Sequence, residues 1–209
     1  MPSDDLVLGF DTSAAHCAAA LLSGDRLIAH RTDMMARGQA ERLFPLLEEV
    51  LAEGGAGWQD LSALGVGIGP GNFTGIRISV SAARGLALSL NIPAVGVSAL
   101  AAAAYGHDKP VTAMIDARRD RVYVQEFPSG APRLIEIADF VPTSPITGPG
   151  ADLLAGGDIR PQICDIAEAT ARIAAVRCNG DVTAPAPLYI RAADAAPSRD
   201  RPPVMLDDT

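Results

Sequence analysis

Leu6-Val7-Leu8-Gly9-Phe10-Asp11-Thr12-Ser13 is the stretch on which the fold turns. An apolar run of strand length delivers an aspartate into a polar turn. Cys17 to Leu22 then reads as a returning strand, Ser23-Gly24-Asp25 as a tight turn and Arg26 to Thr32 as a third strand. That is an antiparallel meander. The design recurs further along: Val111 to Asp116 is apolar and ends in Asp, a turn follows, and Val122 to Phe127 returns. Asp11 and Asp116 therefore hold equivalent places in two copies, and such a duplication is expected of a two-lobed fold.

Between the copies the period changes. Leu43, Leu47, Val50 and Leu51 fall at helical spacing within 39–53, and Gly54-Gly55 ends that helix. Ala63 to Ile68 is a buried-type strand, 76–90 a second helix and Ala94 to Val97 a further strand, after which Ser98 caps a third helix. Residues 1–106 thus form a first lobe of order β-β-β-α-β-α-β-α, and 107–191 a second, reduced lobe. In the latter, Gly148-Pro149-Gly150 opens a short helix, Glu168 to Arg177 is another and Pro185 to Arg191 is extended. Residues 192–209, with prolines and mixed charges, are expected to be a flexible tail.

The 209 residues are 48% apolar and 20% charged, enough to bury a core and too apolar for disorder. No apolar run reaches the ~18 residues of a membrane span. The acidic start Met1-Pro2-Ser3-Asp4-Asp5 lacks the basic beginning of a secretory signal. Cys17, Cys164 and Cys178 form no CxxC pair, so a reducing, cytoplasmic location is expected. A net charge of -8 argues against a broad phosphate-gripping surface.

Asp11-Thr12-Ser13 admits two readings. Hydroxyls and turn amides suit a phosphate, with the carboxylate holding a metal or orienting water. The same residues also make an ordinary hairpin turn that bonds its own backbone. Gly69-Pro70-Gly71-Asn72-Phe73-Thr74-Gly75, followed by Ile76-Arg77, is less ordinary. Its glycines imply positive φ or close backbone approach, and it feeds a helix N-terminus that favours an anion. It is not a Walker A loop, because no Lys-Ser/Thr follows the last glycine. The alternative is a rigid connection with Phe73 plugged into the core. Arg118, Arg119 and Arg121, after Asp116, suit a phosphate or a partner's carboxylates, or are simply solvated.

With Leu8 to Ser13, the loop 69–78, Gly85-Leu86-Ala87-Leu88, Ile92 to Ser98, Asp116-Ala117-Arg118-Arg119 and Pro187-Leu188-Tyr189-Ile190-Arg191, the chain resembles the TsaB (YeaZ) family. These proteins act in bacterial tRNA threonylcarbamoyladenosine synthesis and belong with the group once labelled glycoproteases. The resemblance implies an α/β, actin-like ATPase fold of sugar-kinase type, with two RNase H-like lobes whose mixed β-sheets are flanked by helices. The catalytic relative, TsaD, carries an HxxxH metal motif on its first helix. The matching stretch here, Arg37 to Leu43, has Gln39 and no histidine, so no metal site and no cofactor is expected.

The remaining nucleotide-type positions are Asp11, Thr12, Ser13, Gly69, Gly71, Thr74 and Asp116, taken as a vestigial phosphate site with no catalytic residue. Gly69, Pro70, Gly71, Phe73, Gly75 and Arg77 are taken as a structural loop. Helix 39–53 is apolar over more than the ~100° that one core face needs, and helix 76–90 is slim and apolar on most sides. The resemblance implies that these helices pack on a TsaD-like catalytic subunit. Ala40, Leu43, Leu46, Leu47 and Val50 of the first helix and Ile76, Ser79, Ala82, Ala83 and Leu86 of the second are the expected contacts. The same faces would pair two copies when the chain is alone. The implied role is a non-catalytic scaffold that also works with a TsaE-like ATPase and meets tRNA only through the complex. A small ATPase or kinase using Asp11, Thr12, Gly71 and Asp116 is the competing reading. A peptidase finds no Ser-His or Cys-His pattern: Cys17 and His16 are strand neighbours, whose side chains point to opposite faces.

Overall fold

The computed structural model describes residues 5–154 and 156–190, so the expected tail at 192–209 lies outside the described residues. The first sheet contains β1 (Leu6–Asp11), β2 (His16–Ser23), β3 (Arg26–Met34), β4 (Leu61–Gly67) and β5 (Ala94–Val97). Its order is β3-β2-β1-β4-β5, with the meander antiparallel and β4 and β5 parallel to β1. The second sheet contains β6 (Val111–Asp116), β7 (Arg121–Phe127), β8 (Arg133–Glu136), β9 (Ile146–Thr147) and β10 (Ile159–Arg160). Its order is β10-β9-β6-β7-β8, with the same pattern of antiparallel and parallel pairs. The duplication seen in one hairpin thus extends to all five strands. This is the RNase H-like lobe, twice over, of an actin-type fold.

Four helices join and cover the sheets: α1 (Gln39–Glu53), α2 (Phe73–Leu90), α3 (Ala99–Ala103) and α4 (Ile166–Arg177). Alternation along the strands decides which face each helix covers. Leu8, Phe10, Cys17, Ala19 and Leu21 share a core with Leu43, Leu46, Leu47, Val50 and Leu51 of α1. Val7, Leu22 and Ala63, on the opposite face, pack with Ala169, Ala171, Ile173 and Ala174 of α4. So α4, which follows the second sheet in sequence, covers the first.

Its approach depends on two glycines. A Cβ on Gly9 would lie 2.7 Å from the Ala171 Cβ, and one on Gly65 would lie 2.7 Å from the Thr170 carbonyl oxygen. An alanine-rich helix therefore rests directly on bare strand backbone at these two positions. α3 in turn packs Leu100, Ala103 and Ala104 against Val111, Ala113 and Tyr123 of the second sheet.

The second lobe is the smaller because its connections have shrunk. Where α1 and α2 occupy the first lobe, the second has single 3₁₀ turns at Ile137–Asp139 and Ala151–Leu153. The helix expected after Gly148-Pro149-Gly150 is the latter turn. Among the described residues no helix is long and apolar enough to cross a membrane.

Candidate functional site

A cleft of about 1,030 Å³ opens between the lobes. From the first lobe it is lined by Ser13 to His16, Gln39 and Pro70 to Phe73. From the second it is lined by Ile115 to Arg118 and Pro149, while the start of α4, which packs on the first sheet, and Leu188 to Ile190 complete the wall. The two strand-end aspartates, Asp116 lining the cleft and Asp11 beneath it, share the same local form. Asp11 Oδ1 accepts the backbone N–H of Ser13 at 2.7 Å, and Asp116 Oδ1 accepts that of Arg118 at 2.6 Å. Each is an Asx turn.

The two turns differ in burial. Asp11 is fully buried, and its carboxylate also accepts from the Ser13 hydroxyl at 2.9 Å and from His16 Nε2 at 2.7 Å. Burial of the His16 ring opposes its charged form, but the hydrogen bond and charge of Asp11, with a smaller contribution from Asp165, outweigh it. The His16 pKa is held above its ordinary value. This pair was invisible in the sequence reading, which placed His16 in a strand without a partner. The signal was the spacing itself: the hairpin pairs Asp11 with Ala18, and His16 begins the strand that returns beside it.

Thr12 is committed as well. Its hydroxyl donates to the Gly75 carbonyl at 2.7 Å. The glycine loop lies directly on the turn: Asn72 N–H donates to the Ser13 carbonyl at 2.6 Å, and a Cβ on Gly71 or Gly75 would strike the Ser13 or Thr12 carbonyl. Close backbone approach is therefore what these glycines supply. Of the positions grouped as a vestigial phosphate site, Ser13, Gly71 and Asp116 line the cleft, while Asp11 and Thr12 lie beneath it and Gly69 and Thr74 are not among its lining residues.

One expectation about the loop needs correction, and one of its two alternatives falls away. α2 starts at Phe73, not at 76, because the Asn72 side chain caps it by accepting the Gly75 N–H at 3.0 Å. Phe73 is not a core plug. It is 43% exposed at the cleft mouth, stacked on Tyr189 at 5.1 Å between ring centroids and covered by the Arg77 guanidinium at 3.8 Å. Arg77 Nε also donates to the Tyr189 hydroxyl at 3.0 Å.

The expected partner contacts are corrected more heavily. Leu43, Leu46, Leu47, Val50, Ile76, Ser79 and Ala83 are buried within the first lobe. The Ser79 hydroxyl ties α2 to β4 by donating to the Gly67 carbonyl at 2.9 Å. Ala82 and Leu86 are half-buried against the same core, and Ala40 is exposed. The apolar stripe was wide because α1 meets the sheet, α2 and the Trp58 turn together. The residues left to solvent include Ala40, Glu41, Phe44, Pro45 and Glu48 on α1 and Ser81, Arg84, Gly85 and Leu88 on α2.

Gln39, at the position compared with a metal histidine, turns its amide to the Ala14 and Met35 carbonyls at 3.4 and 3.2 Å. Among the described residues no three His, Cys, Asp or Glu side chains gather as a metal site. Cys164 lines the cleft, but burial, then the nearby Glu168 charge, pushes its thiol up to about 11, which keeps it a protonated, weak nucleophile.

A family model described as TsaD, tRNA N6-adenosine threonylcarbamoyltransferase, matches residues 32–139. The tRNA threonylcarbamoyladenosine biosynthesis protein TsaB of Escherichia coli is 36% identical over 126 residues, which is 58% of this chain and 54% of that protein. The chain spans about half the length of that relative. An uncharacterized protein of Mycobacterium tuberculosis is 32% identical over 198 residues, covering 91% of this chain and 94% of its own. The solved structure of YeaZ from Pseudomonas aeruginosa superposes with a TM-score of 0.72 at 28% identity, over 88% of this chain and 99% of that one. With a family match over more than half its length and a relative matched nearly end to end, the chain belongs to the TsaD-related family, as one of its TsaB (YeaZ) members.

Proposed function

We propose that this chain is a non-catalytic scaffold subunit of the machinery that adds threonylcarbamoyl to the adenosine beside the anticodon of tRNAs reading ANN codons. In this role it binds a TsaD-like catalytic subunit and works with a TsaE-like ATPase, in the cytoplasm. It pairs with itself when the partner is absent and meets whole tRNA only in the assembled complex. The observation that carries the non-catalytic part is the internal saturation of the first strand-end turn. Asp11, Thr12 and Ser13, the groups a phosphoryl-transfer enzyme would aim at its substrate, all bond the protein itself. A general base must reach the proton it abstracts, and Asp11 is fully buried behind Ser13.

The partner-binding part is supported by the outward stripe on α1 and α2, where Leu88 stays 86% exposed. The test is reconstitution. The chain, mixed with a TsaD-like protein and a TsaE-like ATPase, should form a complex on gel filtration and restore tRNA modification that either partner lacks without it. ATP turnover by the chain alone near ~1 per second, about a tenth of a typical enzyme's, and abolished by Asp11→Ala, would instead favour the small ATPase or kinase.

A further inference from the structure

The acidic groups at the interlobe cleft have hydrogen-bond donors; its arginines have no carboxylate. Asp11 is held by Ser13 and His16, Asp116 by the Arg118 amide, and Asp165 by the Ala167 amide and the Thr32 hydroxyl at 2.9 and 3.1 Å. Elsewhere Arg31, Arg42, Arg133, Arg160 and Arg172 meet Asp or Glu, while Arg26, Arg37, Arg84, Arg121 and Arg177 stand without an ion pair among the described residues. The cleft arginines are therefore set apart by the aromatic stack beside them. Arg77, beside the cleft-lining Phe73, lies over that ring and donates to Tyr189, while Arg118, which lines the cleft, and its neighbour Arg119 have no side-chain hydrogen bond or ion pair among the described residues.

The backbone presents these arginines at a cost. Arg118, Arg119 and Asp120 hold φ of 62°, 54° and 57° in succession, a left-handed run without a glycine. Such conformations are disfavoured for side chains of this size and gather where a segment serves a ligand. Opposite the turn stand Phe73 and Tyr189, stacked on each other, 43% and 44% exposed, and both lining the cleft. A concave space with a half-open aromatic stack and guanidiniums that meet no carboxylate has the chemistry of a nucleotide in a single strand. Bases stack on exposed aromatics, and phosphates take arginines that lack a carboxylate.

We propose that the cleft mouth binds one unpaired nucleotide of an RNA strand, its base stacked on the Phe73–Tyr189 pair and its flanking phosphates on Arg77 and Arg118. This deepens, and rests on, the reading of the chain as a subunit of a tRNA-modifying complex. One stacked base and two phosphates amount to weak binding by the chain alone, in keeping with tRNA being held only in the assembly. Asp116 and Asp120 flank the arginines on the turn, which limits the site to a short stretch of strand and excludes a long basic track.

The test uses the whole chain and an end-labelled, unstructured heptaribonucleotide at low salt, read by fluorescence anisotropy. Tyr189→Leu should weaken binding about ten-fold, the size of one lost stacked base. Arg118→Asn, which keeps a residue tolerant of positive φ, should reduce the slope of log affinity against log salt by about 0.7, one phosphate contact on a single strand. Unchanged thermal melting would establish that both variants remain folded. Affinity and salt slope identical to wild type in both variants would overturn the proposal. Equal affinity for a duplex of the same length, or for adenosine monophosphate alone, would overturn it too. Any of these failures leaves the subunit reading standing, because that reading is tested by association with the catalytic partner.

Discussion

His16 Nε2 sits 2.7 Å from Asp11 Oδ1, so the aspartate that ends β1 is answered by the residue that opens β2. The imidazole is 13% exposed and the carboxylate fully buried. The contact ties the turn between the strands to the start of β2.

That pair should make stability depend on pH. Folding raises the His16 pKa above its ordinary 6.5, so the folded state holds the extra proton more tightly than the unfolded chain. The resulting stabilisation is complete below about 6.5 and fades as pH rises through the raised value. Urea denaturation from pH 5.5 to 8.5 should show the gap between wild type and His16→Gln narrowing as pH increases. A gap that stays constant would mean that His16 does not carry the effect.

The glycine loop should respond to shape, and its arginine should not. Gly71→Val drives a side chain into the Ser13 carbonyl and should cost roughly 1–3 kcal/mol, the range for forced overpacking, seen as a lower melting temperature. Arg77→Ala removes an exposed guanidinium and one cation–π contact, on the order of 0.5–1 kcal/mol or less, and should melt close to wild type. A Gly71→Val protein with an unchanged melting temperature and lost complex activity would assign the loop to binding instead.

Gly9 carries the seat of α4. Gly9→Ala places a methyl group 2.5 Å from the Ala167 carbonyl oxygen, so the helix must lift or the strand must shift. We expect destabilisation of about 1–3 kcal/mol, with hydrogen exchange rising first across α4. Protection in α4 equal to wild type would show that the layer accommodates the methyl group.

Association should follow the outward stripe. Leu88→Glu alters a side chain that is 86% exposed, so folding should be untouched, since surface substitutions are usually within about 0.5 kcal/mol. A charge desolvated without a partner at an interface is costly, so both self-pairing and binding of a TsaD-like subunit should weaken. Light scattering with and without the partner checks this. Loss of self-association with partner binding intact would separate the two faces.

Local pattern alone determined much of this protein. The strand runs, the Asp at the end of β1 and of β6, the Ser98 cap and the helical spacing of 39–53 are short-range features, and periodicity reports them directly. The structure bears out the α/β, actin-type fold that the family resemblance implied. β9 and β10, two residues each, left no periodicity to detect. What only the tertiary structure decided is how those faces are used. Periodicity gives the width of an apolar stripe, not what covers it, so it left Leu43, Leu47, Val50 and Ser79 open between core and the interface that the family resemblance implied, and the structure buries them within the first lobe. For Phe73 the sequence left a core plug and a binding loop equally open, and Tyr189, 116 positions away in the chain, decides between them by stacking on it at the surface. Contacts between residues remote in sequence carry no local signature, because they depend on where the whole chain places its layers.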